Sequence, residues 1–479
     1  MMRGSTRIVV RRFSSSATTL EELTTFCKTR GFVYEGSSIY GGFANTFDYG
    51  PLGTLLKKNV QDMWWRDFIV SRMDCVALDT SIIVNPQVWH ASGHVEEFTD
   101  PLVECRTCNK RVRADHLLEQ QNSKDIPPDT FRSLDSISRE LKRIKPQLSD
   151  CKKKKKCDFG NPRNFNLLFR SQVGCTEDTS QDVFLRPETA QGVYVNFTQV
   201  MNSMRRKLPC GVGQIGKSFR NEITLGNYIF RTREFEQMEL QYFCENSTSM
   251  EWYDYWVEKC ETWLHDAVGL EKSSVRRFVV PEEDRAHYSR AQTDLEFQYP
   301  WGWDELWGIA NRGSYDLKRH ASSSSTPCTY RSPDGSEIMP HVVEPALGLN
   351  RLMLAVLTDA YDMEETEGGK RTVLRFKPTV APYQFAILPL VKKSTSMVQF
   401  SEKLYERLAK QTSVDYDLTG SIGKRYRRQD EIGTPTCVTV DSHTLEDGTV
   451  TIRARDTMNQ RRVHVDSLVE DWKIHCKSA

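Results

Sequence analysis

Gly211-Val212-Gly213-Gln214-Ile215-Gly216-Lys217-Ser218, running on into Phe219-Arg220-Asn221-Glu222, is the stretch on which the reading of this chain turns. Its first eight residues satisfy two phosphate-binding patterns at once, G-x-G-x-x-G and G-x4-G-K-S. A phosphate loop needs a buried apolar strand before it and a helix after it, so that backbone N–H groups and the helix N-terminus converge on the anion. Here Met204-Arg205-Arg206-Lys207-Leu208-Pro209 precedes and Phe219-Arg220-Asn221-Glu222-Ile223-Thr224 follows, and neither flank has that character. The rival reading makes Phe219 to Glu222 one strand of a hairpin, with a loop through Ile229. The run Phe230-Arg231-Thr232-Arg233-Glu234-Phe235-Glu236-Gln237-Met238-Glu239 is then its antiparallel partner. Such a hairpin suits ATP: an arginine fork grips the α-phosphate through charge-assisted bonds, a carboxylate meets the adenine amino group, and an aromatic face lies on the base.

Outward from the hairpin the pattern divides. Leu20 to Thr29 reads as a short helix and Gly31 to Tyr49 as a folded loop region rich in Gly and aromatics. Pro51 opens a helix through Val70 that carries Trp64 and Trp65, since proline is tolerated at the first helical position. Val76 to Val84 alternates and ends at Pro86, which predicts a strand. Residues 87–170 read as an insertion, with a charged helical stretch from Ser133 to Lys145 and a lysine run, Lys152 to Lys156. Residues 183–243 are β-rich, Met250 to Val268 is helical around Trp252, Trp256 and Trp263, and residues 300–357 return to strands and end in an apolar helix, Arg351 to Tyr361. The acidic, Gly-containing stretch Glu364 to Lys370 reads as a connection. Beyond Pro378 come a strand, Phe385 to Leu390, a helix, Met397 to Gln411, a basic segment, Gly423 to Arg428, and strands near Val438 and Val450. That is an α/β domain of about 100 residues.

Composition narrows the class. A chain of 479 residues is too long for one core and predicts about three units. With 38% hydrophobic and 27% charged residues it is neither disordered nor fibrous. No stretch approaches the roughly 18 apolar residues that span a bilayer, so no membrane helix is expected. The 65 basic and 64 acidic residues give +1, which excludes the bulk basicity of a sliding DNA binder and makes any nucleic-acid contact local. Residues 1–19 hold Arg3, Arg7, Arg11 and Arg12 with no acid before Glu21, the composition of an organelle transit peptide with a mitochondrial or plastid address. Service in the cytosol as well is left open. Thirteen scattered cysteines do not make a disulfide scaffold. Cys105 and Cys108 form C-x2-C, and Cys151 and Cys157 form a wider C-x5-C. The four offer a zinc knuckle, while the wide second pair also fits a degenerate, empty one.

The F-R-x-E, then F-x3-E, pattern resembles motif 2 of the class II aminoacyl-tRNA synthetases. The helix from Pro51 with its following strand and Pro86 is similar to motif 1, the dimer-forming element, and Gly348-Leu349-Asn350-Arg351 opening an apolar helix is similar to motif 3. Three further strings narrow the branch: Phe43-Ala44-Asn45-Thr46-Phe47-Asp48-Tyr49-Gly50-Pro51-Leu52-Gly53, Arg186-Pro187-Glu188-Thr189-Ala190-Gln191-Gly192, and Gly308-Ile309-Ala310-Asn311-Arg312. Together they resemble the homodimeric (α2) glycyl-tRNA synthetases, over nearly the whole chain from about residue 20.

The resemblance implies an α+β fold. A catalytic domain at residues 20–377, an antiparallel sheet flanked by helices with the insertion at about 87–170, would be followed by an anticodon-binding domain at 378–479. It implies a homodimer that takes ATP with Mg²⁺, glycine and tRNA(Gly), forms glycyl-adenylate, and transfers glycine to the terminal adenosine. Carried onto matching positions, it puts Arg220 on the α-phosphate, Glu222 and Phe235 at adenine, Phe230 and Arg231 beside them in the ATP site, and Arg351 on the γ-phosphate. Glu344 would hold Mg²⁺, Glu188 and Glu239 the glycine ammonium, and Arg312 the substrate carboxylate or phosphates. The catalytic set is then Arg220, Arg351 and Glu344. The family usually has Ser two residues after the Glu344 position, where this sequence reads Glu344-Pro345-Ala346. His90, His94, Glu96 and Glu97 mimic a metal set, but Ser92-Gly93-His94 recurs in the family as scaffold. Lys424, Arg425, Arg427 and Arg428 around Tyr426 suit splayed anticodon bases. Lys152 to Lys156 reads as a solvated loop or an acceptor-stem contact. The alternative is a catalytically silent, synthetase-like dimer that binds nucleic acid, against which stands the retention of Arg220, Glu222, Phe235, Glu239 and Arg351.

Overall fold

The computed structural model describes residues 19–470, except 123–125, 127–129, 132, 147, 149–150, 152–156, 177–179, 225, 286–288 and 367–368. The leader up to residue 18 and the lysine run lie outside the described residues. The central sheet has seven strands: β1 (Cys75–Ala77), β2 (Cys210–Phe219), β3 (Glu234–Cys244), β4 (Val275–Val279), β5 (Ala291–Tyr299), β6 (Gly302–Gly313) and β7 (His341–Gly348). Their spatial order is β4-β5-β6-β7-β3-β2-β1, and every pairing is antiparallel except that of β1 with β2.

The eight residues that mimic a phosphate loop form the body of β2. Their partner is β3, in register from Phe219 opposite Glu234 to Cys210 opposite Phe243. Their backbone groups are committed to the ladder, which excludes a phosphate cradle. The hairpin therefore exists, with strands that end at Phe219 and restart at Glu234. Arg220 to Arg233 form the loop between them, where the sequence predicts strand through Glu222 and again from Phe230.

One face of the sheet is dry. Met238, Leu240 and Tyr242 of β3 and Val343 and Leu347 of β7 alternate into the main core, as the two-residue period of a strand requires. Against them pack α1 (Pro51–Trp65), α3 (Ser249–Trp263) and α4 (Leu349–Ala360), while α2 (Ala190–Ser203) sits on a second cluster with Val212 and Phe243. The tryptophans meet at Phe68, in the wide turn that continues α1. Its ring stacks on Trp64 at 5.4 Å and Trp256 at 5.9 Å, and meets Trp263 edge-on at 5.6 Å. Gly53 lets α1 close on the preceding hairpin, since a Cβ there would lie 1.9 Å from the Phe32 carbonyl oxygen.

Several expectations are corrected. The strand predicted over Val76 to Val84 shrinks to β1. Residues 190–203, read as part of a β-rich region, are helical, because Ala190, Val193, Tyr194, Phe197, Val200 and Met201 form one buried stripe at helical spacing. The acidic stretch Glu364 to Lys370 is a hairpin, β8 (Tyr361–Thr366) with β9 (Gly369–Leu374). The basic segment is a helix, α5 (Ile422–Glu431), on a five-stranded sheet whose order is Val414–Tyr416, Phe385–Pro389, Thr436–Val440, Thr449–Ala454, Gln460–His464.

The hairpin was misread because its acids are paired inside. Arg371 of β9 is buried, donating to Glu364 and, at 2.9 Å, to Asp430 of α5. Arg453 binds both Asp430 oxygens, at 2.8 and 3.0 Å, and Arg375 reaches Glu364 at 2.7 Å. This network joins the hairpin to the C-terminal sheet. Arg371→Met is expected to cost about 3 kcal/mol, because it strips a guanidinium from two buried carboxylates. Urea unfolding of the full chain measures it, and a loss below about 1 kcal/mol would show that Arg375 and Arg453 hold the junction alone.

Candidate active site

The face of the sheet opposite the aromatic core is a cleft. Phe235, Gln237 and Glu239 of β3 alternate into it, with Glu344, Ala346 and Gly348 of β7 and Gly308 and Arg312 of β6. Register aligns Glu239, Ala346 and Gly308 in one row across three strands. Glu188 enters just before α2, Arg220 just past β2, and Arg351 in the first turn of α4.

One end is cationic and aromatic. The Arg220 guanidinium lies between the rings of Phe98 at 5.4 Å and Phe235 at 5.3 Å, and its Nε donates to the Pro187 carbonyl at 3.0 Å. Arg351 lies over Phe230 at 4.4 Å and pairs with Glu305 at 2.9 Å. Glu222 faces Arg231 at 3.8 Å. Arg220, held by two ring faces and one carbonyl, keeps donors for the cleft, and Arg351 brings a second guanidinium shared with Glu305, which together suit a polyphosphate. Lys217, essential to a phosphate loop, points elsewhere and pairs with Glu234 at the surface.

The other end is acidic and buried. Thr189 donates to Glu239 at 2.5 Å, Gln241 donates to Glu344 at 2.8 Å, and Gln191 donates to Glu188 at 2.9 Å. Burial pushes the Glu239 carboxyl up to about 8, reinforced by the charges of Glu344 and Glu188. Burial and Glu188 also raise Glu344, against the pull of Arg312. For Glu188 burial is outweighed by His94, Arg312 and Gln191, which hold it well below the usual carboxylate range. At neutral pH the pocket thus carries an ionised Glu188 beside a protonated Glu239.

One assigned role is corrected, and at two other sites the side chains have visible partners. Arg312 binds Asp316 through Nε and Nη2, each at 2.9 Å, and Glu344 through Nη1 at 2.8 Å. It is spent on holding Glu344 and offers no free fork for a substrate carboxylate. Each Glu344 oxygen accepts one bond, from Gln241 and from Arg312, and keeps a lone pair beside it. The sulfurs offered for zinc do meet, Cys105 against Cys108 and Cys157, and Cys151 against Cys108 and Cys157. Among the described residues no group of three or more His, Cys, Asp or Glu has the geometry to hold a metal. Across the wide second pair the Leu148 N–H donates to the Cys157 sulfur, and burial pushes that thiol up to about 11. Cys105, despite its burial, is drawn down to about 7 by the N–H groups of Cys108 and Thr107.

In the C-terminal domain the basic quartet divides by helical phase. Lys424 and Arg427 are exposed on α5, whereas Arg425 is buried, donating to the Pro389 carbonyl at 2.7 Å, and Arg428 pairs with Asp417. Arg425 is therefore a structural residue rather than a nucleic-acid contact. Sequence reasoning missed Glu305. Trp307 lies opposite Leu295 and Glu305 opposite Glu296, so β6 carries an extra residue at Leu306. That bulge turns Glu305 onto the cleft face beside Gly308, against strict alternation. Gln237, also missed, places a buried Oε1 without a hydrogen-bond partner in the same cleft.

Residues 172–360 match the tRNA synthetase class II core domain (G, H, P, S and T), and residues 384–473 match the anticodon binding domain. The chain is 48% identical over 456 residues to the glycine–tRNA ligase of Alkaliphilus metalliredigens, covering 95% of this chain and 98% of that protein. It is 50% identical over 454 residues to the glycine–tRNA ligase of Ruminiclostridium cellulolyticum, covering 94% and 97%. Among solved structures, prolyl-tRNA synthetase from Cryptosporidium parvum, complexed with L-proline and AMP, superposes with a TM-score of 0.61 at 13% identity. The match covers 98% of this chain and 81% of that one, a likeness of fold.

Proposed function

The chain belongs to the glycine–tRNA ligases, on the class II synthetase core, and on that premise we propose that the two ends of its cleft divide one reaction between them. The enzyme joins glycine to tRNA(Gly) at the expense of ATP. The observation that supports the division is a buried carboxylate cluster, Glu188, Glu239 and Glu344, set against the arginine and aromatic end in one cleft. Glycine offers an ammonium, a carboxylate and no side chain. Its ammonium enters the acidic end, which turns its carboxylate toward Arg220. That carboxylate attacks the α-phosphorus, the bond to pyrophosphate breaks, and glycyl-adenylate forms without a protein nucleophile. Charge gathers on the pentacoordinate phosphorus, so Arg220 binds the transition state more strongly than ATP. Phe235 and Phe230 supply ring faces, and Arg351 takes the distal phosphates. Class II synthetases use ATP with Mg²⁺; the ion enters as part of the nucleotide substrate.

Around the amino-acid end, Ala346 stands between Glu239 and Gly308, and crowding of substrate Cα there rejects larger amino acids. For the anticodon end the support is the outward face of α5, with Lys424 and Arg427. Dimerisation is supported by Ile39 and Tyr40, each 87% exposed, with Phe43 at 62% beside them. The basic, acid-free composition of residues 1–19 supports organelle targeting.

Glycine-dependent ATP–pyrophosphate exchange tests the reading. Arg220→Ala should lower it at least about 100-fold, the scale for removing a transition-state donor, while Lys217→Ala leaves it nearly unchanged. The reverse ranking would restore the phosphate-loop hypothesis. A second test is pH. Below about 8 Glu239 must release its proton before it can serve the ammonium, so glycine KM should fall as pH rises toward 8 and then level. Glu239→Gln should raise glycine KM about tenfold and abolish that slope, while a flat wild-type profile would contradict the protonated Glu239. Sedimentation of the purified chain should give the mass of a dimer, and Tyr40→Asp should shift it toward the monomer.

A further inference from the structure

His94, set aside by its sequence as scaffold, stands against the ammonium pocket. It follows Gly93, whose φ of 88° turns the chain, and opens the short turn His94–Glu97 at the start of the insertion. Its ring is wedged edge-on between Trp89 at 5.5 Å and Phe98 at 5.4 Å, and its side chain is 12% exposed. Nε2 lies 3.4 Å from Oε2 of Glu188, whose side chain is 13% exposed. Nδ1 lies 2.8 Å from the Ser92 hydroxyl, which also stands 3.3 Å from the Trp89 carbonyl. The carbonyl can only accept, so the Ser92 hydroxyl donates to it and holds Nδ1 through its short contact. With Nδ1 anchored there, Nε2 is the nitrogen that faces Glu188.

The backbone around His94 is tied down on the far side. The Asn166 amide donates to the carbonyls of His94 at 3.2 Å and Val95 at 2.7 Å. The Leu167 N–H donates to the Phe98 carbonyl at 3.1 Å, and the Leu167 carbonyl accepts from Asn221 at 2.7 Å, next to Arg220. Glu188 is thus gripped from both sides, with Gln191 on Oε1 and His94 on Oε2. It needs the grip, because it stays ionised in the buried pocket that it shares with Glu239 and Glu344.

We propose that His94 is a positioning residue for glycine, its Nε2–H holding the Glu188 carboxylate in the orientation that receives the substrate ammonium. The proposal rests on the assignment of Glu188 to the ammonium. It brings the insertion into amino-acid selection, since residues 94–98 then hold the ammonium-binding Glu188 through His94 and the α-phosphate arginine through Phe98.

Glycine-dependent ATP–pyrophosphate exchange by the full chain tests it, with glycine and ATP varied separately. His94→Leu removes the donor and should raise glycine KM at least about tenfold, with ATP KM and kcat within about threefold of wild type. His94→Gln, whose amide N–H can reach Glu188 without a ring, should return glycine KM to within about threefold. Unchanged glycine KM in His94→Leu overturns the proposal. So does a fall in kcat with both KM values raised alike and no recovery in His94→Gln, which marks a structural role. Should His94→Leu fail to fold by thermal melting, Ser92→Ala carries the test. It removes the partner that anchors Nδ1 and orients the ring, and should raise glycine KM severalfold; no rise there overturns the proposal. Wild-type enzyme without glycine-dependent exchange would instead fail the underlying reading.

Discussion

Arg312 is shared between Asp316 and Glu344 in the buried heart of the cleft, and the rest of the structure is arranged around what that single guanidinium leaves unbalanced. A pocket for an ammonium must keep negative charge in reserve, and reserved charge in a dry interior destabilises the fold that contains it. Glu188 and Glu239 add two further carboxylates to those that Arg312 already serves. The pocket adapts by keeping a proton on Glu239 and by giving each carboxyl group one neutral donor: Thr189, Gln191 and Gln241. The offsetting stabilisation lies on the other face of the same strands. There Phe68, Trp64, Trp256 and Trp263 form a close aromatic cluster under β6, β7 and β3. Each strand therefore carries the charged pocket on one side and the apolar core on the other.

That two-sidedness explains what could be read in advance. Arg220, Arg351, Glu188 and Glu239 were legible because the motifs around them resemble those of a known family, whose roles carry onto these positions, and the structure gathers all four in one cleft. Glu305 was illegible because its direction depends on the bulge at Leu306, a feature of pairing with β5 that β6 does not show alone. Arg312 was legible as a site residue but not as to its partner, since Asp316 and Glu344 reach it only in the folded sheet.

Charge runs misled in both directions. Lys424 to Arg428 looked like one basic segment, yet helical phase buries Arg425 while leaving Lys424 and Arg427 outside. Glu364 to Lys370 looked like a solvated link, yet Glu364 is buried, since its cationic partners Arg371 and Arg375 come from the returning strand. In each case composition described the segment correctly. Three-dimensional pairing then decided which charges met water.

The junction at Asp430 bears on how such a chain can diverge. Asp430 sits on the helix that displays Lys424 and Arg427, and its cationic partners come from two places, Arg371 on the hairpin of the first unit and Arg453 within its own sheet. A C-terminal unit transplanted from a relative would have to bring an acid at this position, or the buried Arg371 of the recipient would lose one of its two carboxylate partners and keep Glu364 alone. The two units are consequently not interchangeable parts. Recombination between them is constrained to sequences that inherit both halves of this ion cluster together, even though each half is a separate sheet with its own core.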